Sequence, residues 1–305
     1  MTPPDLPGSY THPVVIGGVG GSGTRLIARC LDEFGFFMGS DLKEAYDNLW
    51  FTLLFKRIEI LNASDEEFNE LIEIFLEGMI GSKNFTEKQI DLINHLASAG
   101  RENHSVAWLK KRVRTLLSRQ KTNWLKNRAR TLLSKKMKAR SNAGWGWKEP
   151  NSHIILDRLK VRFRDMKYIH VVRNGLDMAH SRNQNQLKLW GQHFIGEDYD
   201  ISPYWSLKYW CIIHRRVLET GRSMGANFLF LNYDNFCLNP ESGMTELCEF
   251  LGLDAAGMPE SRLLELVHVP DSIGRFKQYG TEIFAAEDVA YVKELGFDIG
   301  ETKCS

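Results

Sequence analysis

The alternation of apolar and polar positions first becomes readable at Val14-Val15-Ile16, a short β-branched run that enters a stretch of glycines and then an apolar-periodic segment. That pattern predicts a buried strand over about His12–Gly17 and a helix over about Gly23–Phe34. Helical periodicity recurs over Asp47–Leu61, Asp65–Met79 and Glu87–Ala97. The stretch from Trp145 to Pro150 predicts a short strand stopped by the proline, with Asn151 or Ser152 capping a helix through Leu159. Met166–Arg173 reads as a further buried strand, and Asn174 as the cap of a helix carrying Leu176, Met178, Ala179 and Ser181. Pro203–Thr220 predicts a long aromatic-rich helix, Asn227–Asn232 a strand and Pro240–Leu251 another helix. Strands alternating with helices imply an α/β fold with a mainly parallel, doubly wound sheet.

The glycine stretch is where this pattern first suggests chemistry. In Gly17-Gly18-Val19-Gly20-Gly21-Ser22-Gly23-Thr24-Arg25, backbone N–H groups of a strand-to-helix turn can converge on an anion, aided by the helix dipole. Gly18 and Gly23 have the separation of a Walker A loop, but Thr24-Arg25 stands where Lys-Ser/Thr belongs. Alone, the stretch specifies a phosphate-like anion or a purely structural turn. Arg173, at the carboxyl end of its strand, lies where open α/β sheets bind ligands. Its guanidinium fork suits a phosphate, and Ser181 can add a hydroxyl donor.

These residues carry a family resemblance. The glycine turn, the block V-V-R-N-G-L-D-M-A-H-S from Val171 and the strand ending Tyr233-Asp234-Asn235-Phe236 resemble the sulfotransferases that use 3′-phosphoadenosine-5′-phosphosulfate (PAPS). The nearest style is that of the tyrosylprotein and heparan branches. The resemblance runs from about Val14 to Lys277, with a poorly matched stretch between about Phe51 and Ala143. It implies a P-loop-like sulfotransferase fold and PAPS as sulfuryl donor, with no metal required. Gly20, Gly21, Ser22, Gly23, Thr24 and Arg25 then correspond to the 5′-phosphosulfate loop, and Arg173 with Ser181 to the 3′-phosphate pair. Tyr233 corresponds to a tyrosine near the adenine, while Asp234 fixes local structure. Gly274-Arg275-Phe276-Lys277 resembles a loop closing over the nucleotide, which brings Arg275 and Lys277 toward the 3′-phosphate.

One departure matters. The family's loop usually has a lysine or arginine at the position of Gly21. Lys148 and Arg25 are the candidates to compensate, by neutralising charge as the sulfuryl group moves. Glu44, at a spacing from the loop like that of the heparan and tyrosylprotein glutamate, is the candidate base, with Asp41 and Asp47 behind it. His104, His153 and His193 do not match the context of the histidine used by cytosolic small-molecule members. Two alternatives stay open: a P-loop-type small-molecule kinase, and a nucleotide-binding or interaction protein whose catalysis is impaired by Gly21.

Composition fits a single domain over residues 1–305, with a helical insertion at about 51–143. Hydrophobic residues are 43% and charged residues 25% of the chain, ordinary for a globular protein. No apolar run reaches the ~18 residues of a membrane span, and no secretory leader is visible. The five cysteines have no metal-ligand spacing, which fits reduced thiols in a cytoplasmic protein. The net charge of +1 hides an asymmetry: residues 101–140 hold fourteen Lys/Arg and one acid. Within them, W-L-K-K-R-V-R-T-L-L-S from Trp108 is echoed from Trp124, giving two amphipathic units over 108–138. We expect a helical hairpin broken near Lys121-Thr122-Asn123. It would serve either as a docking arm for an anionic surface, polymer or charged acceptor, peripheral at a membrane, or as a solvated basic face. No motif supports nucleic-acid binding. The acceptor is expected to bear a hydroxyl or an amine, and its class is open.

Overall fold

The structure, a computed structural model, describes residues 12–79, 85–98, 143–254 and 264–300. The basic arm over 108–138, with its expected hairpin, lies outside the described residues. Among them, five strands form one parallel sheet: β1 (Val14–Gly18), β2 (Phe36–Phe37), β3 (Gly144–Lys148), β4 (Lys167–Val172) and β5 (Phe228–Asn232), in the order β2-β3-β1-β4-β5. β1 is central, with Val14 opposite Gly146 on one side and Lys167 on the other. All carboxyl ends of a parallel sheet fall on one edge, where this architecture binds ligands.

Alternation along β1 divides the core. Val15 belongs to the cluster on one face, and Val14 and Ile16 to the cluster on the other. The second face is covered by α1 (Thr24–Glu33), while α2 (Leu49–Phe55), α3 (Asp65–Met79) and α4 (Glu87–Ser98) pack on the first. There Trp145 and Trp147 of β3 meet Phe51, Phe75 and Phe163. The remaining helices are α5 (Leu156–Arg162), α6 (Gly175–Ala179), α7 (Asn185–Phe194), α8 (Pro203–Arg222), α9 (Tyr233–Leu238), α10 (Pro240–Leu251) and α11 (Ala286–Glu294). No described helix is long and apolar enough to cross a membrane.

Several expected boundaries move for identifiable reasons. The helix expected over Asp47–Leu61 is capped by Asn48, whose side chain accepts from the Phe51 amide at 3.0 Å, and it stops at Phe55. A 3₁₀ turn over Ile58–Asn62 follows. After β3 the cap is Glu149, not Asn151 or Ser152: its carboxylate accepts from the Asn151 amide at 2.6 Å, above a 3₁₀ segment over Pro150–Ile155. Asn174 caps α6 as expected, through the Leu176 amide at 3.0 Å, but the helix ends at Ala179 and Ser181 lies in the following turn.

Candidate active site

The glycine turn joins β1 to α1 at the sheet's carboxyl edge. The Ser22 amide donates to the Val19 carbonyl at 3.0 Å, and the Leu26 amide donates to the Gly23 carbonyl at 3.0 Å as α1 begins. Gly23 has φ 96°, and a Cβ there would lie 2.1 Å from Tyr233 Cε2. Glycine is needed for the backbone angle and for the close approach of the tyrosine ring. Gly21, at φ 100°, is exposed at the mouth of the turn. Ser22 Oγ is buried with no hydrogen-bond partner among the described residues.

Two concavities flank the turn. The first, about 360 Å³, is lined by Gly20, Gly21, Thr24 and Arg25 together with Asp47, Lys56, Lys148 and Gln186. The second, about 290 Å³, is bounded by Gly23, Arg25, Leu26, Arg29, Tyr233, Leu266 and His268. Gly23 and Arg25 line both.

The polar groups of the first concavity are held firmly. The Asn48 amide donates to the Lys148 carbonyl at 2.8 Å, tying the loop before α2 to the end of β3. Within that loop the Lys43 amide donates to the Asp47 carbonyl at 3.0 Å and the Tyr46 amide to the Lys43 carbonyl at 2.8 Å, with Tyr46 at φ 62°. This closed turn brings the Asp47 carboxylate to Lys148, whose Nζ donates to Asp47 Oδ1 at 2.5 Å and to the Ala45 carbonyl at 3.1 Å. Glu44 is exposed and does not line the concavity. Glu149 is buried, and burial raises its carboxyl above the usual range, while the charge of Lys56 pulls it back down. Its two oxygens accept from the Asn151 amide and, at 3.0 Å, from Asn151 Nδ2.

At the end of β4, Arg173 is fixed from two sides. Its Nε donates to Asp234 Oδ1 at 3.1 Å and an Nη donates to Ser272 Oγ at 2.8 Å, with the guanidinium 5.6 Å from the centroid of the Tyr233 ring. Asp234 also accepts from the Asn174 amide at 2.8 Å, so it sets both the arginine and the start of α6. Ser181 accepts from the Asn183 amide at 3.1 Å. The loop over 270–278 is latched to α6 by Asp177, which accepts from the Gly274 amide at 2.8 Å and the Phe276 amide at 2.9 Å. Arg275 thereby reaches the His180 carbonyl at 3.4 Å, beside Ser181, whereas Lys277 turns to Asp298 at 2.7 Å.

The model of the Sulfotransferase family matches residues 13–257, most of the chain. The chain belongs to the sulfotransferase family. It is therefore a transferase of sulfuryl groups, in a family whose donor is PAPS. Among solved structures it is similar to the sulfotransferase domain of the Synechococcus PCC 7002 olefin synthase, at 16% identity over 97% of this chain and 99% of that one, with a TM-score of 0.48. Sulfotransferase STF9 from Mycobacterium avium is 15% identical over 95% of this chain and 77% of that one, with a TM-score of 0.45. No curated protein matches the chain in sequence.

Of the residues read from the sequence, the structure gathers Gly20, Gly21, Gly23, Thr24 and Arg25 with Lys148 and Asp47 around one concavity, and Gly23, Arg25 and Tyr233 around the other, while Ser22 is buried beneath the turn. Arg173, Ser181 and Arg275 line neither concavity: Arg173 and Ser181 flank α6 and Arg275 stands on the loop latched to it. Lys277 and Glu44 stand apart. Lys56, Gln186, Leu266 and His268 had drawn no attention in the sequence. Gln186 is placed by a buried chain: its Nε2 donates to the Gly18 carbonyl at 3.1 Å, and its Oε1 meets His153 Nε2 at 3.1 Å. Among the described residues no group of three or more His, Cys, Asp or Glu side chains is placed to hold a metal.

Proposed function

We propose that this sulfotransferase binds PAPS across the two concavities and transfers its sulfuryl group to a hydroxyl-bearing acceptor entering beside Asp47. The observation that carries the reading is the convergence of the glycine turn, Lys148 and Asp47 on one concavity, with a second that shares Gly23 and Arg25 with it and is lined by Tyr233. The chain's residues fit such a donor. Gly20, Gly21, Gly23 and Thr24 of the turn line the first concavity, where their backbone amides would meet an anion, and the Ser22 hydroxyl is buried without a partner among the described residues. The adenine would lie against Tyr233 in the second concavity, with Leu266 and His268 as walls. Arg173, pre-set by Asp234 and Ser272, would take the 3′-phosphate, with Ser181 and Arg275 close at hand.

In the transfer, the acceptor oxygen forms a bond to sulfur while the bond between sulfur and the 5′-phosphate oxygen breaks, and the phosphate oxygen keeps that electron pair. Asp47 would receive the acceptor's proton. Lys148 orients Asp47 and offers positive charge at the reacting end. This ranks Asp47 above Glu44 as base, because Glu44 points to solvent. The test is acceptor-dependent conversion of PAPS to adenosine 3′,5′-bisphosphate over a panel of alcohols, phenols, sugars and amines. ATP with Mg²⁺ should give no phosphorylated product. Phosphoryl transfer from ATP, with PAPS inert, would overturn the reading.

A further inference from the structure

We propose that Lys56 is a catalytic cation of this site, standing beside the breaking sulfur–oxygen bond and supplying the charge that Gly21 lacks in the turn; this rests on the PAPS reading above. α2 consists of seven buried residues, and its start is tied to the end of β3 through Asn48 and Lys148. The lysine that ends it is therefore held by a rigid support. Its neighbour Arg57 faces elsewhere, donating to the Leu54 carbonyl at 3.1 Å and to Glu67 at 2.6 Å. Lys56 instead lines the first concavity together with Gly20 and Gly21.

The charges of that concavity leave a role for it. Lys148 is paired with Asp47 at 2.5 Å, so its charge is shared between the base and the donor. The charge acting most on Glu149 is that of Lys56, yet both Glu149 oxygens are taken by Asn151. Among the described residues no hydrogen bond or ion pair engages Lys56. Arg25 is exposed and borders both concavities, whereas Lys56 borders only the one holding Asp47 and Lys148. Its charge is thus confined to the reacting end. As the bond to the 5′-phosphate oxygen breaks, the electron pair left there is balanced by the Lys56 ammonium, which keeps its proton. The acceptor's proton goes to Asp47.

The test needs no knowledge of the acceptor. Adenosine 3′,5′-bisphosphate and adenosine 3′-monophosphate are titrated calorimetrically into the full chain, its Lys56→Met variant and its Lys56→Arg variant. Lys56→Met should lose about tenfold or more in affinity for the bisphosphate, as expected on removing a charge-assisted contact. Its affinity for the 3′-monophosphate should not change, and Lys56→Arg should restore most of the loss. Melting temperatures of the three proteins should agree. A Lys56→Met variant that still prefers the bisphosphate as strongly as the parent does overturns the role of Lys56 alone. A parent chain that binds both nucleotides equally overturns the PAPS reading itself, and Lys56 with it.

Discussion

Acidification should unfold this protein over a pH range that three buried histidines define. His153, His170 and His214 are fully buried beneath the sheet, with His170 ring centroids 5.9 Å from His153 and 5.1 Å from His214. Burial holds His153 at about 3 and His214 at about 4, and drives His170 well below its ordinary value. Each ring keeps a nitrogen without a partner among the described residues, so no neighbour is arranged to favour a second proton. The unfolded chain binds protons at these groups near pH 6.5, while in the folded chain His153 and His214 do so only at about 3 and about 4 and His170 only well below its ordinary value. The neutral rings therefore cost nothing above about pH 7, and stability falls as pH drops through 6.5 toward the folded values. Between about pH 7 and pH 5 His153 and His214 each contribute a loss of about 2 kcal/mol, or about 4 kcal/mol together, with His170 acting in the same direction, against a typical total stability of about 5–15 kcal/mol. Glu149 opposes this, since its raised pKa in the folded state favours protonation there. Urea unfolding followed by tryptophan fluorescence at several pH values measures the sum. The His214→Met variant isolates one histidine and should flatten the pH slope, removing about 2 kcal/mol of the loss between about pH 7 and pH 5. A stability that stays level down to pH 5, or a slope unchanged in the variant, would refute the reasoning.

Four further outcomes are expected. Arg173→Ala should cost about 2–3 kcal/mol in calorimetric binding of adenosine 3′,5′-bisphosphate and little in binding of adenosine 5′-monophosphate; equal losses would remove Arg173 from the 3′-phosphate. Asp47→Asn should lower steady-state turnover by about 10²-fold or more, while Glu44→Gln leaves it nearly unchanged; the reverse order would restore Glu44 as base. Gly23→Ala should displace the Tyr233 ring that its Cβ would strike at 2.1 Å, lowering bisphosphate affinity at least tenfold and shifting the melt downward. Asp177→Asn should release the loop over 270–278, detected as faster amide exchange at Gly274 and Phe276 with unchanged exchange in β1.

What the sequence disclosed, it disclosed where local chemistry and packing agree. The β-branched run before the glycines, the buried strand ending at Arg173 and the Asn174 cap are local signals, and each stands where expected. β2 has two residues, too few for any periodicity. Tyr233 reads as the end of a strand but begins α9, because the Asn232 side chain accepts from the Asn235 amide at 3.0 Å and starts a helix. Glu44 and Asp47 are three residues apart, and spacing from the glycine turn does not separate them. The backbone of Tyr46 and the tie from Asn48 to β3 decide which carboxylate meets Lys148. Lys56 carries no local mark, since a lysine at the end of a helix is ordinary. Only the tie of α2 to the end of β3 brings it into the concavity that the glycine turn also lines.

The most direct test of the account is a crystal structure of the complex with adenosine 3′,5′-bisphosphate. It should show the 5′-phosphate on the backbone amides of Gly20–Thr24 facing Lys56 and Lys148, the adenine against Tyr233, and the 3′-phosphate on Arg173. A nucleotide bound away from the glycine turn, or one whose 3′-phosphate faces Lys148 while Arg173 stays engaged only with Asp234 and Ser272, would contradict it.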